Sequence, residues 1–71
     1  MNARPLPAFD SARALADLER EHRRLTEQYL GDYRRAFDSG ATPATRVQLS
    51  QHYRGLLEDL AKQMDVLRRM L

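Results

Sequence analysis

Two histidines, three serines and several paired arginines are the side chains of this sequence that invite a catalytic, metal or nucleic-acid reading. His22 and His52 are the neutral metal-ligand candidates, and there is no cysteine to join them. If the chain folds back on itself, they stand about eight residues apart along the axis, or roughly 12 Å. That is too far to share one ion, so no metal site and no cofactor are expected. Ser11, Ser39 and Ser50 have no histidine–carboxylate partners readable from spacing. The three glycines, Gly31, Gly40 and Gly55, are too scattered to form a phosphate-cradling loop. A thin helical rod is also expected to lack a concave pocket. The expectation is a chain that is not an enzyme.

The arginines form the clusters Arg20, Arg23, Arg24 and Arg34, Arg35. Acids are interleaved at i,i+4: Arg13–Asp17, Glu19–Arg23, Arg23–Glu27, Arg54–Glu58, Glu58–Lys62 and Asp65–Arg69. Such pairs describe a solvated helix face and contribute a few tenths of a kcal/mol each. The net charge is only +2. A nucleic-acid surface is therefore not the favoured reading.

These residues must be positioned by helices. Leu15, Leu18, His22, Leu25, Tyr29 and Tyr33 recur at spacings of three and four, which defines one helical face, with Phe37 in step. Leu49, Tyr53, Leu56, Leu60, Met64, Leu67 and Leu71 form a second stripe. Between them lies Asp38-Ser39-Gly40-Ala41-Thr42-Pro43. Gly40 suits the left-handed position that ends a helix, and Thr42-Pro43 suits an N-cap followed by a first-turn proline. A capping box Thr45-x-x-Gln48 is an alternative start. Asp10 or Ser11 can cap the first helix. The expected layout is an extended leader over residues 1–9, which holds Pro5 and Pro7, and a helical hairpin over 10–71. Within the hairpin, helix one runs over about 11–38, the turn over 39–43 and helix two over about 44–70.

The stripes can be paired. Facing residues of an antiparallel hairpin have a nearly constant sum of numbers. Tyr33 with Leu49, Tyr29 with Tyr53, His22 with Leu60, Leu18 with Met64 and Leu15 with Leu67 share one sum, and Leu25 with Leu56 falls one short of it. The turn lies at the centre of that register, so periodicity and turn chemistry agree. The fold class is all-α: an antiparallel two-helix hairpin (αα-hairpin), completed by a partner protein or by self-association. The seam residues are Leu15, Leu18, His22, Leu25, Tyr29, Tyr33, Leu49, Tyr53, Leu56 and Leu60.

With 71 residues and no disulfide, the chain can bury only about 60% of the surface its unfolded form exposes. Small scaffolds of this kind usually take a staple or a partner. Surplus apolar residues flank the seam at Leu30, Phe37, Leu57, Val66 and Met70, and after Ala61 the apolar positions cover more than one helix face. The expected partner-binding set is Leu30, Phe37, Leu57, Met64, Val66, Leu67 and Met70. Met64 and Met70 are adaptable packers of the sort found on such surfaces. Gly31 and Gly55 inside the helices cost about 1 kcal/mol each relative to alanine. They mark either close approach of another backbone or tolerated weakness. The N-terminal sequence has no apolar core of a secretory signal, and no apolar run is long enough to suggest a membrane span. A cytoplasmic protein with no membrane association is expected.

Arg34-Arg35, the turn Gly40-Ala41-Thr42-Pro43, and then Leu49, Arg54 and Leu56 resemble the small co-chaperones of bacterial type III secretion, the E-type partners of needle-subunit chaperones. The resemblance spans roughly residues 12–70 and includes chain length and two long helices. It implies a non-catalytic cytoplasmic hairpin that binds and stabilises a helical-repeat (tetratricopeptide-like) chaperone. That chaperone in turn holds the needle subunit and keeps it from polymerising early. The family pattern does not fix which apolar positions face the chaperone. Two other readings remain. One is a polymerising secretion-apparatus hairpin, whose usual Asn/Asp-Pro turn differs from the one here. The other is a homodimeric four-helix bundle that binds RNA or DNA.

Overall fold

A computed structural model describes residues 10–71; the leader over residues 1–9 lies outside the described residues. Two helices of 28 residues each, α1 (Ser11–Asp38) and α2 (Pro43–Met70), make an all-α helical hairpin, with no strand among the described residues.

The helix ends follow local chemistry. Asp10 caps α1: its Oδ1 accepts a hydrogen bond from the Arg13 backbone N–H at 3.0 Å. That satisfies one of the donors an α-helix leaves orphaned in its first turn. At the other end Gly40 has φ +77°. Its N–H bonds to the Phe37 carbonyl at 3.1 Å, and the Ala41 N–H reaches back to the Ala36 carbonyl at 2.9 Å. This paired 5→2 and 6→1 arrangement is a Schellman cap. Thr42 then caps α2, its Oγ1 accepting from the Thr45 N–H at 3.2 Å. Pro43 is already helical, one residue before the expected start, because its fixed φ and missing N–H suit the first helical position.

An added Cβ at Gly40 would meet nothing within 4 Å, so only the backbone resists substitution there. Gly40→Ala should therefore cost about 1–2 kcal/mol through the left-handed φ alone, and Gly40→Asn clearly less. Urea melts of the two variants check this, and equal losses would sink the conformational explanation. Gly31 and Gly55 differ from Gly40. A Cβ at Gly31 would touch only the far end of the Arg35 side chain, at 3.8 Å, and one at Gly55 would meet nothing. Within this chain neither glycine makes room for another backbone.

The register is fixed by aromatic rings. Tyr29 stacks on Tyr53 with centroids 5.2 Å apart, as the constant-sum pairing requires, and meets Tyr33 edge-on at 6.0 Å. Two cross-helix hydrogen bonds hold the same level: Tyr29 Oη shares one with Ser50 Oγ at 2.8 Å, and Tyr53 Oη donates to Asp32 Oδ2 at 2.5 Å. The buried core is small. Among the described residues it is Tyr53, Met64 and Leu67, all from α2; α1 contributes half-buried side chains only.

Two assignments need correction here. Met64 and Leu67 were paired with Leu18 and Leu15 by the register and also placed in the partner-binding set; both are buried inside the hairpin, in keeping with the register and not with the partner set. They continue the four–three alternation that runs from Tyr53 through Leu57 and Leu60, which is the seam of a left-handed pair of helices. Leu56 was expected in the seam. It falls one residue off that alternation and is 40% exposed, while Leu57 is half-buried in its place.

Candidate functional site

Among the described residues only three side chains are buried, and the surface holds most of the apolar material. Leu30, Phe37, Val47, Leu56, Val66, Met70 and Leu71 are between 40% and 69% exposed. Four of the seven residues expected at a partner, Leu30, Phe37, Val66 and Met70, are in this group. Leu57 is half-buried, and Met64 and Leu67 are withdrawn into the seam. Of the expected seam residues, Leu15, Leu18, His22, Leu25, Tyr29, Tyr33, Leu49 and Leu60 are half-buried and Tyr53 is buried. Val47 and Leu56 join the exposed set.

The expectation of no concavity is overturned. Along one side of the hairpin runs an open groove of about 830 Å³. From α1 it takes His22, Tyr29 and Tyr33. From α2 it takes Pro43, Arg46, Val47, Ser50, Gln51, Arg54, Leu57, Glu58 and Ala61. The α2 positions recur every three or four residues, so a single flank of that helix forms the wall. His22 also lines a shallower hollow of about 540 Å³ that continues toward Met64 and Arg68. Two helices packed side by side leave such a furrow on each face unless long side chains fill it. Here Val47, Ser50 and Ala61 are too short to do so. Val66 and Met70 are absent from the groove lining; helical phase places them on the opposite flank of α2.

Among the described residues the charged side chains leave one unpaired cation at the groove. On α1 the acids pair at i,i+3 rather than at the expected i,i+4: Asp17 with Arg20, Glu21 with Arg24 and Asp32 with Arg35. Both spacings lie on one helix face, so the choice is set by side-chain reach. On α2 the pairs Arg54–Glu58 at 3.4 Å and Asp65–Arg69 at 2.8 Å form as expected. These pairs are largely exposed and contribute little to stability. Arg46 differs. Its guanidinium lies over the Phe37 ring, 5.3 Å from the centroid, and its Nε is buried without a hydrogen-bond partner. Among the described residues it forms no ion pair.

The catalytic candidates are occupied or dispersed. Ser50 Oγ is taken up by the Tyr29 hydroxyl, and Ser39 Oγ donates to the Ala36 carbonyl at 3.0 Å. His52 packs edge-on against Tyr53 with centroids 5.4 Å apart. No three His, Cys, Asp or Glu side chains gather among the described residues. No helix of the described residues is long and apolar enough to cross a membrane.

The cross-helix contact between Asp32 and Tyr53 couples to pH. The hydrogen bond from Tyr53, followed by the Arg35 guanidinium, holds the Asp32 carboxyl below its ordinary value. The same hydrogen bond, together with burial, pushes the Tyr53 hydroxyl up. A lowered carboxyl stabilises the fold above its unfolded pKa, and that contribution is lost as pH falls through the folded value. A raised phenol contributes fully below its unfolded pKa of about 10 and loses its contribution as pH rises through the folded value. The hairpin should thus weaken below about pH 4 and again above about pH 10. In Asp32→Asn the acid-side decline should be shallower, as read from melting temperature against pH. An unchanged acid slope would show that this contact does not couple to folding.

Sequence signals for part of this site were present but unused. Val47 has no apolar neighbour three or four residues before or after it except Pro43 and Ala44, so a search for stripes passes over it. Arg46 is the one arginine of α2 with no acid three or four residues away on either side. Compared with protein-family models, curated proteins and solved structures, the chain matches none.

Proposed function

We propose that the hairpin is a non-catalytic interaction module, a cytoplasmic co-chaperone in type III secretion that stabilises a helical-repeat chaperone of the needle subunit. The observation that supports a binding role is the imbalance, among the described residues, between three buried side chains and seven large apolar ones left in water. A patch of exposed apolar surface on a small domain marks a place where another molecule packs. A hairpin of this kind is completed when its free faces meet further helices. The secretion assignment rests on the resemblance of the turn and of the flanking arginine and leucine positions.

The test is co-expression of the full chain with the tetratricopeptide-like protein encoded nearest to it. The expected result is a stoichiometric complex in which both proteins melt higher than alone, because binding to the folded state adds stability by mass action. A chain that stays monomeric, melts at a high temperature independent of concentration and leaves the repeat protein unbound would overturn the proposal. Filaments at high concentration would favour a polymerising subunit instead.

A further inference from the structure

We infer that the groove between the helices is the seat of one partner helix, an amphipathic one that brings a carboxylate to Arg46. The inference rests on the reading of the hairpin as a partner-binding module and names the chemistry of what binds it.

Of the charged groups that line the groove, Arg54 and Glu58 neutralise each other. Arg46 is left as an uncompensated cation, half-buried, with its Nε out of water and unpartnered. An anion that meets this guanidinium would give its buried Nε a partner. The guanidinium's position over the Phe37 ring holds the planar fork in place, and a fork held in place suits a carboxylate, which accepts two parallel N–H bonds from it. The rest of the lining asks for apolar side chains: Val47, Leu57, Ala61 and the Tyr29 and Tyr33 rings. The span from Pro43 to Ala61 along α2 is about 27 Å at 1.5 Å per residue, the length of some five helical turns. The occupant is then a helix of about 18 residues, apolar along one stripe, with Asp or Glu toward the end that lies near the hairpin turn. A basic helix is disfavoured by like charge at Arg46. A second copy of this chain is the competing occupant.

The test uses the full chain against a displayed library of 18-residue helical peptides. Leucines are fixed at heptad spacing, and the flanking positions are varied among Glu, Lys, Gln and Ser. Selection should enrich Glu at one flanking position near one peptide end. In fluorescence anisotropy, changing that Glu to Gln should weaken binding about tenfold or more, as loss of a charge-assisted pair requires. Arg46→Gln should weaken the Glu peptide equally and abolish the preference for Glu over Gln. Leu57→Glu should remove binding of either peptide, with helicity checked by circular dichroism. Val47→Glu serves as the second groove variant in case Leu57→Glu does not fold. Failure to enrich any binder, enrichment without acid, or a Glu preference that persists in Arg46→Gln would overturn the inference. So would sedimentation showing a dimer that Arg46→Gln dissociates, since the groove would then be filled by a second copy. If a repeat chaperone is captured equally by wild type, Arg46→Gln and Val47→Glu, the groove assignment fails while the co-chaperone reading stands. Acidic helices binding the groove without any chaperone captured give the reverse.

Discussion

Leu67→Ala is expected to remove roughly half of the stability of the isolated chain. Truncating a buried leucine typically costs about 2–5 kcal/mol, because the lost transfer energy is joined by a cavity that neighbours only partly fill. A domain of this size holds on the order of 4–10 kcal/mol in total. Leu67 is one of three buried side chains among the described residues, so few others there share the loss. Leu56→Ala is the control, since the side chain it truncates is 40% exposed and makes correspondingly less of the seam. Urea titration followed at 222 nm measures both. A Leu67→Ala loss below about 1 kcal/mol, or one no greater than that of Leu56→Ala, would mean that the seam does not run through Leu67. A bound partner should rescue the variant in proportion to its concentration over its Kd.

The second large effect concerns the flank of α2 away from the groove. Val66→Lys with Met70→Lys should leave helicity and melting nearly unchanged, since both side chains are more than half exposed and such sites tolerate polar replacement within about 0.5 kcal/mol. Lysine is preferred to aspartate because negative charge in a last helical turn opposes the helix dipole. If Val66 and Met70 are anchors at a partner, capture should weaken about 30-fold or more, the scale of a hot-spot residue. Leu30→Gln with Phe37→Gln probes the opposite flank in the same assay. A partner that embraces both flanks loses to both pairs; a partner seated on one flank ignores the other. Full retention by both variants would remove these four residues from the binding surface.

The helix limits were legible in the sequence because caps are local. Asp10, Gly40, Thr42 and Pro43 each act within four residues of their position, so their chemistry can be read without knowing the fold. The register was legible for a related reason. A short turn forces an antiparallel return, and the Tyr29–Tyr53 stack then follows from counting. What resisted was the rotation of α2 about its own axis. Leu56 and Leu57 are adjacent and both apolar, and either extends a stripe from Tyr53. The choice between them is made by the four–three alternation continuing to Met64 and Leu67, which appears only when the whole seam is laid against α1. Met64 and Leu67 stood both in the paired stripe and in the partner set, because apolar residues after Ala61 cover more than one face of α2 and local sequence does not divide them. The groove was hidden for another reason. Concavity depends on short side chains meeting across two helices, at Val47, Ser50 and Ala61 beside the tyrosine rings, and no single stretch of chain carries that information.

The three tyrosines are the only tyrosines of the chain, and it has no tryptophan. All three stand in one stacked cluster toward the turn, whereas Met64 and Leu67 close the other end without a chromophore. Tyrosine signals from this molecule therefore watch one end of a zipper and are blind to the other. Fraying from the free termini would register in amide ellipticity while the tyrosine signal stood still, so two spectra taken on one sample can tell a partial opening from a complete one.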